Sequence, residues 1–444
     1  MGKTTIATGM MAALTRAGTR VGAAKVGPDY IDPGYHTLAT GRPSRNLDAW
    51  MCGPEAIAPI AAVAAAGCDL LIVEGVMGLF DGAAGVGDAA GGEGAGGAGR
   101  GMFASTAHVA RLLGAPVILV VDAAAQSGSV AALVHGFSSF DPSVDVAGIV
   151  LNRVASDSHE AMLRDALGSV AAPVVGVLRR DPALRWRDRH LGLVPVIEHG
   201  ADLRHGLDRL ALAVGAGCDL ALVRAIAERA QPRAATPLAP PTARRGRRPR
   251  IAIAGGAAFS FNYPDNLEAL ESAGAELIPF DPAVDPLLPD GVDGLVVGGG
   301  FPEVYAEALA DNRDLLADVN QRVARGLVTW AECAGLLWLA ASLDGRPMAG
   351  VLPCTATMTD RLTLGYRSAR VTVDSPIGVA GTAVRGHEFH YSTVAPAGHA
   401  LTMQGRTGPT TGGFASPTLL ATYVHQHLAG SPELAERFVA ACAP

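Results

Sequence analysis

Paired cysteines, long apolar runs and a surplus of basic charge are all missing from this sequence, and each absence removes a class of protein. The six cysteines (Cys52, Cys68, Cys218, Cys333, Cys354 and Cys442) are scattered, with no C-x-x-C pair and no metal-ligand spacing. That argues against a disulfide scaffold or a zinc module and fits a reducing cytoplasm. No apolar run reaches the roughly 18 residues that a membrane-spanning helix needs, and the N-terminus carries neither a signal-peptide pattern nor a transit composition. A soluble, cytoplasmic protein with no membrane partner is expected. Acidic residues outnumber basic ones, 42 to 35, for a formal charge of −7 and a pI near 5.9. Without a basic footprint, nucleic acid is a poor candidate for the principal partner, and an anionic substrate would need a local basic pocket.

What is present is globular and too long for one core: 444 residues, 49% hydrophobic, against a prior of roughly 150 residues per domain. Apolar strand-like runs at 21–25, 70–74, 116–122, 146–152 and 174–178 alternate with helical stretches, the pattern of a parallel sheet covered by helices. A second strand-helix series begins at 251. Between the two, Q-P-R-A-A-T-P-L-A-P-P-T-A-R-R-G-R-R-P-R lacks apolar periodicity and reads as a linker. The expected fold is α/β throughout, divided into 1–232, a linker at 233–249, and 250–444. A glycine-rich stretch at 82–101 reads as a mobile loop, either a functional lid or an inert insertion. No internal repeat is evident.

In the first domain, Gly2-Lys3-Thr4-Thr5 is the second half of a phosphate-binding loop whose full form is G-x-x-x-x-G-K-[ST]. A good helix follows it and then a strand, so Lys3 is expected on β/γ-phosphates and Thr4 on Mg²⁺, with the helix N-terminus adding its positive end. The first glycine and the strand that should feed the loop are not in the sequence. The expectation is therefore a start upstream of Met1, or else weak ATP binding. Lys25 ends the next strand and opens K-V-G-P-D-Y-I-D-P-G-Y-H, with N-L-D following at 46–48. Lys25, Asp29, Asp32 and Asp48 suit Mg²⁺ coordination or substrate positioning; a proline-punctuated loop with Asx caps fits equally, and spacing does not choose. Glu74 ends the third strand and Asp81 follows seven residues later. A carboxylate buried at a strand end without a partner is costly, which tilts Glu74 toward a metal.

In the second domain, W-A-E-C-A-G-L-L-W-L at 330–339 reads as a strand running into a helix with Cys333 at the turn. A tight turn among small residues projects a nucleophile, and the next N–H groups, starting at Ala334, face a developing oxyanion. The run G-L-V-V-G-G-G at 294–300 ends in glycines whose N–H groups, from Gly299 and Gly300, offer the second oxyanion donor. Y-V-H-Q-H at 423–427 offers a base. A nucleophilic cysteine, a glycine loop and a histidine in this order resemble the class I glutamine amidotransferases, which form a glutamyl thioester and release ammonia.

The motifs K-V-G-P-D-Y-I-D-P-G-Y-H, N-L-D-A-W-M, V-E-G-V-M-G-L-F-D-G, S-T-A-H-V-A, L-N-R-V, R-H-L-G-L-V-P, F-N-Y-P-D-N-L-E-A-L, G-G-G-F-P-E and A-E-C-A-G-L-L together resemble the cobyrinic or hydrogenobyrinic acid a,c-diamide synthases of cobalamin biosynthesis. The resemblance covers essentially the whole chain. It implies a dethiobiotin-synthetase-like ATP domain followed by a glutamine amidotransferase domain, with ATP and Mg²⁺, glutamine and a corrinoid as partners; assembly as a homodimer stays open. It assigns Gly2, Lys3, Thr4, Thr5, Lys25 and Asn152 to ATP, and Asp29, Tyr30, Asp32 and Asp81 to the corrinoid region. Thr4, Asp48 and Glu74 go to the metal, and Cys333 with His425 to glutamine hydrolysis. An Asn capping a strand end is a nearly equal reading of Asn152. The usual acid two residues after the histidine is replaced by His427; Glu388 could orient His425 or be structural. Ala334 stands where glycine is common, and Asn262 interrupts an otherwise aromatic motif. Cobyric acid synthase and nickel-sirohydrochlorin a,c-diamide synthase are the neighbouring alternatives. A partitioning-type P-loop ATPase and a glutamine sensor with a dead synthetase domain are alternatives of another kind.

Overall fold

The computed structural model describes residues 2–83, 102–182, 188–189, 192–193, 200–231, 247–405 and 408–443. Most of the expected glycine-rich loop and linker, and much of R-H-L-G-L-V-P, lie outside them. Described residues up to 231 form one compact unit and those from 247 a second.

The strands of the first unit are β1 (Val21–Val26), β2 (Arg45–Leu47), β3 (Leu70–Glu74), β4 (Val117–Asp122), β5 (Val146–Val154), β6 (Val174–Arg179) and the short antiparallel pair β7 (Asp188–Arg189) and β8 (Gly192–Leu193). The expected single parallel sheet is two among the described residues, ordered β2-β1-β3 and β4-β5-β6, each wholly parallel. β1 is flanked on both sides and buried along its length, whereas β3 and β4 have a strand neighbour on one side only among the described residues and are mostly half-buried.

Helix Lys3–Arg16 begins at Gly2, whose φ of 79° suits a residue without a Cβ. Ile6, Met10, Ala13 and Leu14 recur at helical spacing and bury against β1, β5, β6 and helix Gly200–Gly217. Each of the three large side chains contributes about 1.5–3 kcal/mol on burial. Gly9 permits the close crossing, since a Cβ there would lie 2.6 Å from Val214.

The second unit contains β9 (Arg250–Ala254), β10 (Glu276–Phe280), β11 (Gly294–Val297), β12 (Val328–Glu332), β13 (Ser342–Leu343), β14 (Arg346–Pro347), β15 (Thr355–Val371), β16 (Ala383–Ala395), β17 (Leu401–Gly405), β18 (Gly408–Gly412), β19 (Phe414–Ser416), β20 (Leu419–Thr422) and β21 (His425–Gln426). One sheet runs β10-β9-β11-β12-β20-β19, parallel except for β19. A second sheet, not anticipated from the sequence, is built on the long β15–β16 hairpin and carries β21 at its edge. Trp330 on β12 packs into one core with Phe438, and its neighbour Ala331 into the other with Trp338. That alternation is the period of two of a central strand. The end of the expected linker is fixed to this unit: Arg247 pairs with Asp293 at 2.6 Å, and Arg248 donates to the carbonyl of Ala275. No helix among the described residues is long and apolar enough to cross a membrane.

Candidate functional site

In the first unit the parallel register does the positioning. Lys25 stands level with Glu74 on β3 and with Asn46 on β2, so the carboxyl ends of three strands converge, where open α/β sheets place their ligands. Lys25 Nζ lies 2.5 Å from Asp32 Oδ2, 2.8 Å from Glu74 Oε1 and 3.9 Å from Asp29 Oδ2. Thr4 Oγ1 is 2.8 Å from Glu74 Oε1 and 3.1 Å from Asp32 Oδ2. The start of the first helix and the ends of β1 and β3 thus share one polar knot. Asn152, expected to end its strand, stands two residues before the end of β5 and reaches the same helix start: a Cβ on Gly2 would lie 2.5 Å from its side-chain nitrogen.

Two residues that the sequence reading did not single out hold this knot. His36 Nε2 meets Glu74 Oε2 at 2.6 Å, while His36 Nδ1 is 3.3 Å from Ser44 Oγ, all buried. Asn46 donates to the carbonyls of Gly27 and Asp29, fixing the loop that carries the acids. The Y-H and N-L-D strings were the available signal, but only the register shows that they meet.

The capping reading of the loop also holds in part. Asp29 Oδ1 accepts the N–H groups of Ile31 and Asp32, and Asp81 Oδ2 accepts that of Gly78. Asp48 Oδ1 accepts from Trp50 and Met51, so that oxygen serves a turn in its own backbone. It is Asp32 that stands with Thr4 and Glu74.

Burial lowers the Lys25 ammonium, but Glu74 and Asp32 outweigh it and hold the group charged. Burial, then the charges of Asp29 and Glu74, push Asp32 up to about 6 against Lys25. Burial would raise Glu74 as well; hydrogen bonds from His36 and the charge of Lys25 instead bring it down to about 2. Lys3 is lowered by burial and by repulsion from Lys25. The N–H groups of the helix start and Lys3 are the groups here that can meet an anion, while Asp32 and Glu74 offset the charge of Lys25.

In the second unit Cys333 sits between β12 and helix Ala334–Leu339 with φ 50° and ψ −99°, a conformation that a non-glycine residue adopts only under constraint. The constraint is visible. Cys333 N–H donates to Thr422 O at 2.8 Å, and Gly335 N–H donates to Gly298 O at 3.1 Å. The Ala334 N–H points back at the sulfur. Of the two glycines expected as oxyanion donors, Gly299 is corrected: its N–H is bonded to Phe261 O at 3.2 Å, in a two-way bridge that the sequence does not reveal. Gly300 remains the loop's candidate donor.

His425 is buried on β21, level with His387 on β16, and the two rings stack at 5.1 Å. A Cβ on Gly299 would lie 2.4 Å from His425 Cε1, so that glycine makes room for the imidazole. Asn266, from F-N-Y-P-D-N, donates to Gln426 O and accepts from Leu428 N–H at 2.7 Å each, clamping the H-Q-H segment from both sides. His427 turns elsewhere, stacked on Tyr263 at 4.5 Å and 3.9 Å from Asp265. Glu388 is paired with Arg367 at 2.6 Å. Burial raises the Cys333 thiol, with Glu303 adding to it, and lowers His425 to about 3. At rest both groups are neutral.

Residues 1–194 match the model of the CobQ/CobB/MinD/ParA nucleotide binding domain, and residues 250–433 that of the CobB/CobQ-like glutamine amidotransferase domain. Hydrogenobyrinate a,c-diamide synthase of Streptomyces coelicolor is 49% identical, with 99% of this chain and 95% of that protein covered. The protein of that name from Thermobifida fusca is 45% identical, at 99% and 94% coverage. Cobyrinate a,c-diamide synthase of Syntrophotalea carbinolica is 40% identical, at 99% and 96%. Matched nearly end to end and in both of its domains, the chain belongs to the family of hydrogenobyrinate and cobyrinate a,c-diamide synthases.

Proposed function

We infer that the chain is a ligase of cobalamin synthesis that uses ATP and glutamine to amidate the a and c acetate carboxylates of a corrinoid. Residues 1–232 activate the carboxylate and residues 250–444 hydrolyse glutamine. The observation that carries this reading is Cys333, a non-glycine residue held in a strained turn where a thioester-forming nucleophile is required. It stands in a chain whose other unit gathers Lys25, Thr4, Asp32 and Glu74 around a helix start.

Glutamine hydrolysis needs a thiolate. Cys333 gives its proton to His425 and attacks the carboxamide carbon; Ala334 and Gly300 N–H groups receive the oxyanion. The C–N bond breaks, the nitrogen leaves as ammonia with the proton from His425, and water hydrolyses the thioester to glutamate.

A corrinoid carboxylate resists attack by ammonia until ATP has converted it to an acyl phosphate. Phosphate then leaves as the amide forms, once for each acetate. Lys3 and Lys25 face the transferred charge, Gly2 and Thr5 supply N–H groups at the helix start, and Asn152, beside Gly2, contributes to the nucleotide site. Magnesium fits the hard oxygen set of Thr4, Asp32 and Glu74, where it would offset phosphate charge. Asp29, Tyr30 and Asp81 line the loops left for the corrinoid.

The metal-free substrate is favoured, because relatives named for hydrogenobyrinate are 45–49% identical and those named for cobyrinate 38–40%. Incubating the protein with ATP, Mg²⁺ and glutamine plus hydrogenobyrinic or cobyrinic acid, and weighing the products, tests both points. Diamide from hydrogenobyrinic acid is expected. Glutamine hydrolysis indifferent to ATP and corrinoid, with no amide formed from either acid, overturns the reading.

A further inference from the structure

A histidine that takes a proton from a thiol must be held in one orientation and one tautomer, and a carboxylate against its far nitrogen achieves both. Two residues beyond His425, where such an acid is usual, stands His427, and Glu388 is held by Arg367. Glu332 reaches the ring instead. It is the last residue of β12, directly before Cys333, and its side chain is almost wholly inside the protein. Its Oε2 lies 3.7 Å from His425 Nδ1, and its Oε1 accepts the N–H of Gln426 at 3.3 Å. One oxygen therefore braces the backbone beside His425 while the other faces the imidazole.

We propose that Glu332 is the positioning residue for His425, orienting Nδ1–H toward its carboxyl group so that Nε2 is left for the Cys333 thiol. The proposal rests on the assignment of Cys333 and His425 made above. It gives the residue before the nucleophile a part in the base's geometry and so couples the two ends of the site through one strand. Other charged and titratable groups surround the pair: His387 stacked on His425, His390, the Arg367–Glu388 pair, His427 with Asp265, and Glu303 and Tyr423 toward Cys333. Glu332 brings a carboxyl oxygen to 3.7 Å from His425 Nδ1. Burial pushes Glu332 up to about 8 and His425 down to about 3, so either charge alone is costly here. Side by side, imidazolium and carboxylate offset one another.

Glu332→Gln separates the two roles of the side chain, because it keeps size and an acceptor for Gln426 N–H while removing the charge. We expect the glutaminase kcat to fall by about 10²-fold or more with KM for glutamine little changed. Alkylation of Cys333 by iodoacetamide should shift to higher pH, and Glu332→Asp should restore part of both. Wild-type kcat and an unmoved alkylation profile in Glu332→Gln overturn the proposal. Cys333→Ala distinguishes this from failure of the underlying assignment: a Cys333→Ala protein that still hydrolyses glutamine removes the assignment itself. Should the Glu332 variants not fold, ¹⁵N-histidine spectra of the unmodified protein decide, since a proton on His425 Nε2 rather than Nδ1 in the neutral ring overturns the proposal equally.

Discussion

The ammonium of Lys25 and the carboxylate of Glu74 meet at 2.8 Å because parallel register sets them side by side on β1 and β3. Both are buried, and each offsets part of the cost of burying the other, with His36 and Thr4 on Glu74 and Asp32 on Lys25 supplying the rest. Lys25→Met leaves two carboxylates facing each other without a cation, a change that costs about 3–5 kcal/mol when one partner of a buried pair is removed. The urea midpoint of the first unit should fall accordingly while that of the second stays in place. A variant as stable as the parent would mean that the pair is not formed in solution.

Glu74→Gln is the complementary change. It keeps an oxygen near Thr4 and Lys25 but removes the charge that the activating site uses. Amidation should fail with glutamine and with free ammonia alike, while glutamine hydrolysis persists. Amide formation from either nitrogen source at the parent rate would reduce Glu74 to a structural residue.

Asp32 predicts a pH dependence. Its carboxyl is raised from 3.8 to about 6, by burial first and then by Asp29 and Glu74. A group that holds its proton more tightly when folded favours the fold at low pH, and that contribution is lost as pH climbs through the folded value. Glu74 has the opposite sign: lowered from 4.5 to about 2, it contributes above 4.5 and loses its effect toward 2. Between pH 4.5 and 6 the unfolded Glu74 goes from half to almost fully ionised, so its slope fades while that of Asp32 persists, and comparison with Asp32→Asn cancels what remains of it. The parent should lose stability relative to Asp32→Asn by at most about 1.4 kcal/mol per pH unit in that window. Urea midpoints of both proteins at pH 4.5 and pH 7 test this; a constant difference would show that Asp32 does not titrate there.

Much of this was readable beforehand, for identifiable reasons. Cys333 shows itself because small residues and an apolar run bracket a polar thiol. Lys25 and Glu74 show themselves because charges at the ends of apolar strands demand partners. What stayed hidden depends on contacts distant in sequence. His36 and Glu74 are 38 positions apart and meet only through the fold. The bond between Gly299 and Phe261 withdraws an oxyanion donor that the glycine run seemed to offer. Leu362, Leu364 and Tyr366 alternate with Thr363 and Gly365 at strand spacing, but Asp360 and Arg361 interrupt the run and Leu362 and Leu364 stay exposed, so no buried face announced the β15–β16 hairpin that aligns His387 with His425.

Cys333→Ala should end the use of glutamine while amidation from added ammonia continues, since the thiol is needed only to free the nitrogen. Comparing the two nitrogen donors in one preparation reads this directly. Undiminished glutamine use would remove Cys333 from the chemistry.

Gly299→Ala tests the room kept for the base. A methyl group there would lie 2.4 Å from His425 Cε1 and 3.2 Å from Phe261 Cβ, so the imidazole must move by a large part of an ångström. Displacement of that order costs about 10²-fold when a proton must pass between positioned groups. The overpacking itself should cost about 1–3 kcal/mol of stability. Because Gly299 N–H is bonded to Phe261 O and serves no oxyanion, the loss should come from the displaced histidine. It should therefore appear in the glutaminase kcat and in slower alkylation of Cys333 at neutral pH, with ammonia-dependent amidation preserved. Parent-like glutamine hydrolysis in a folded Gly299→Ala protein would show that His425 does not need the place the structure gives it.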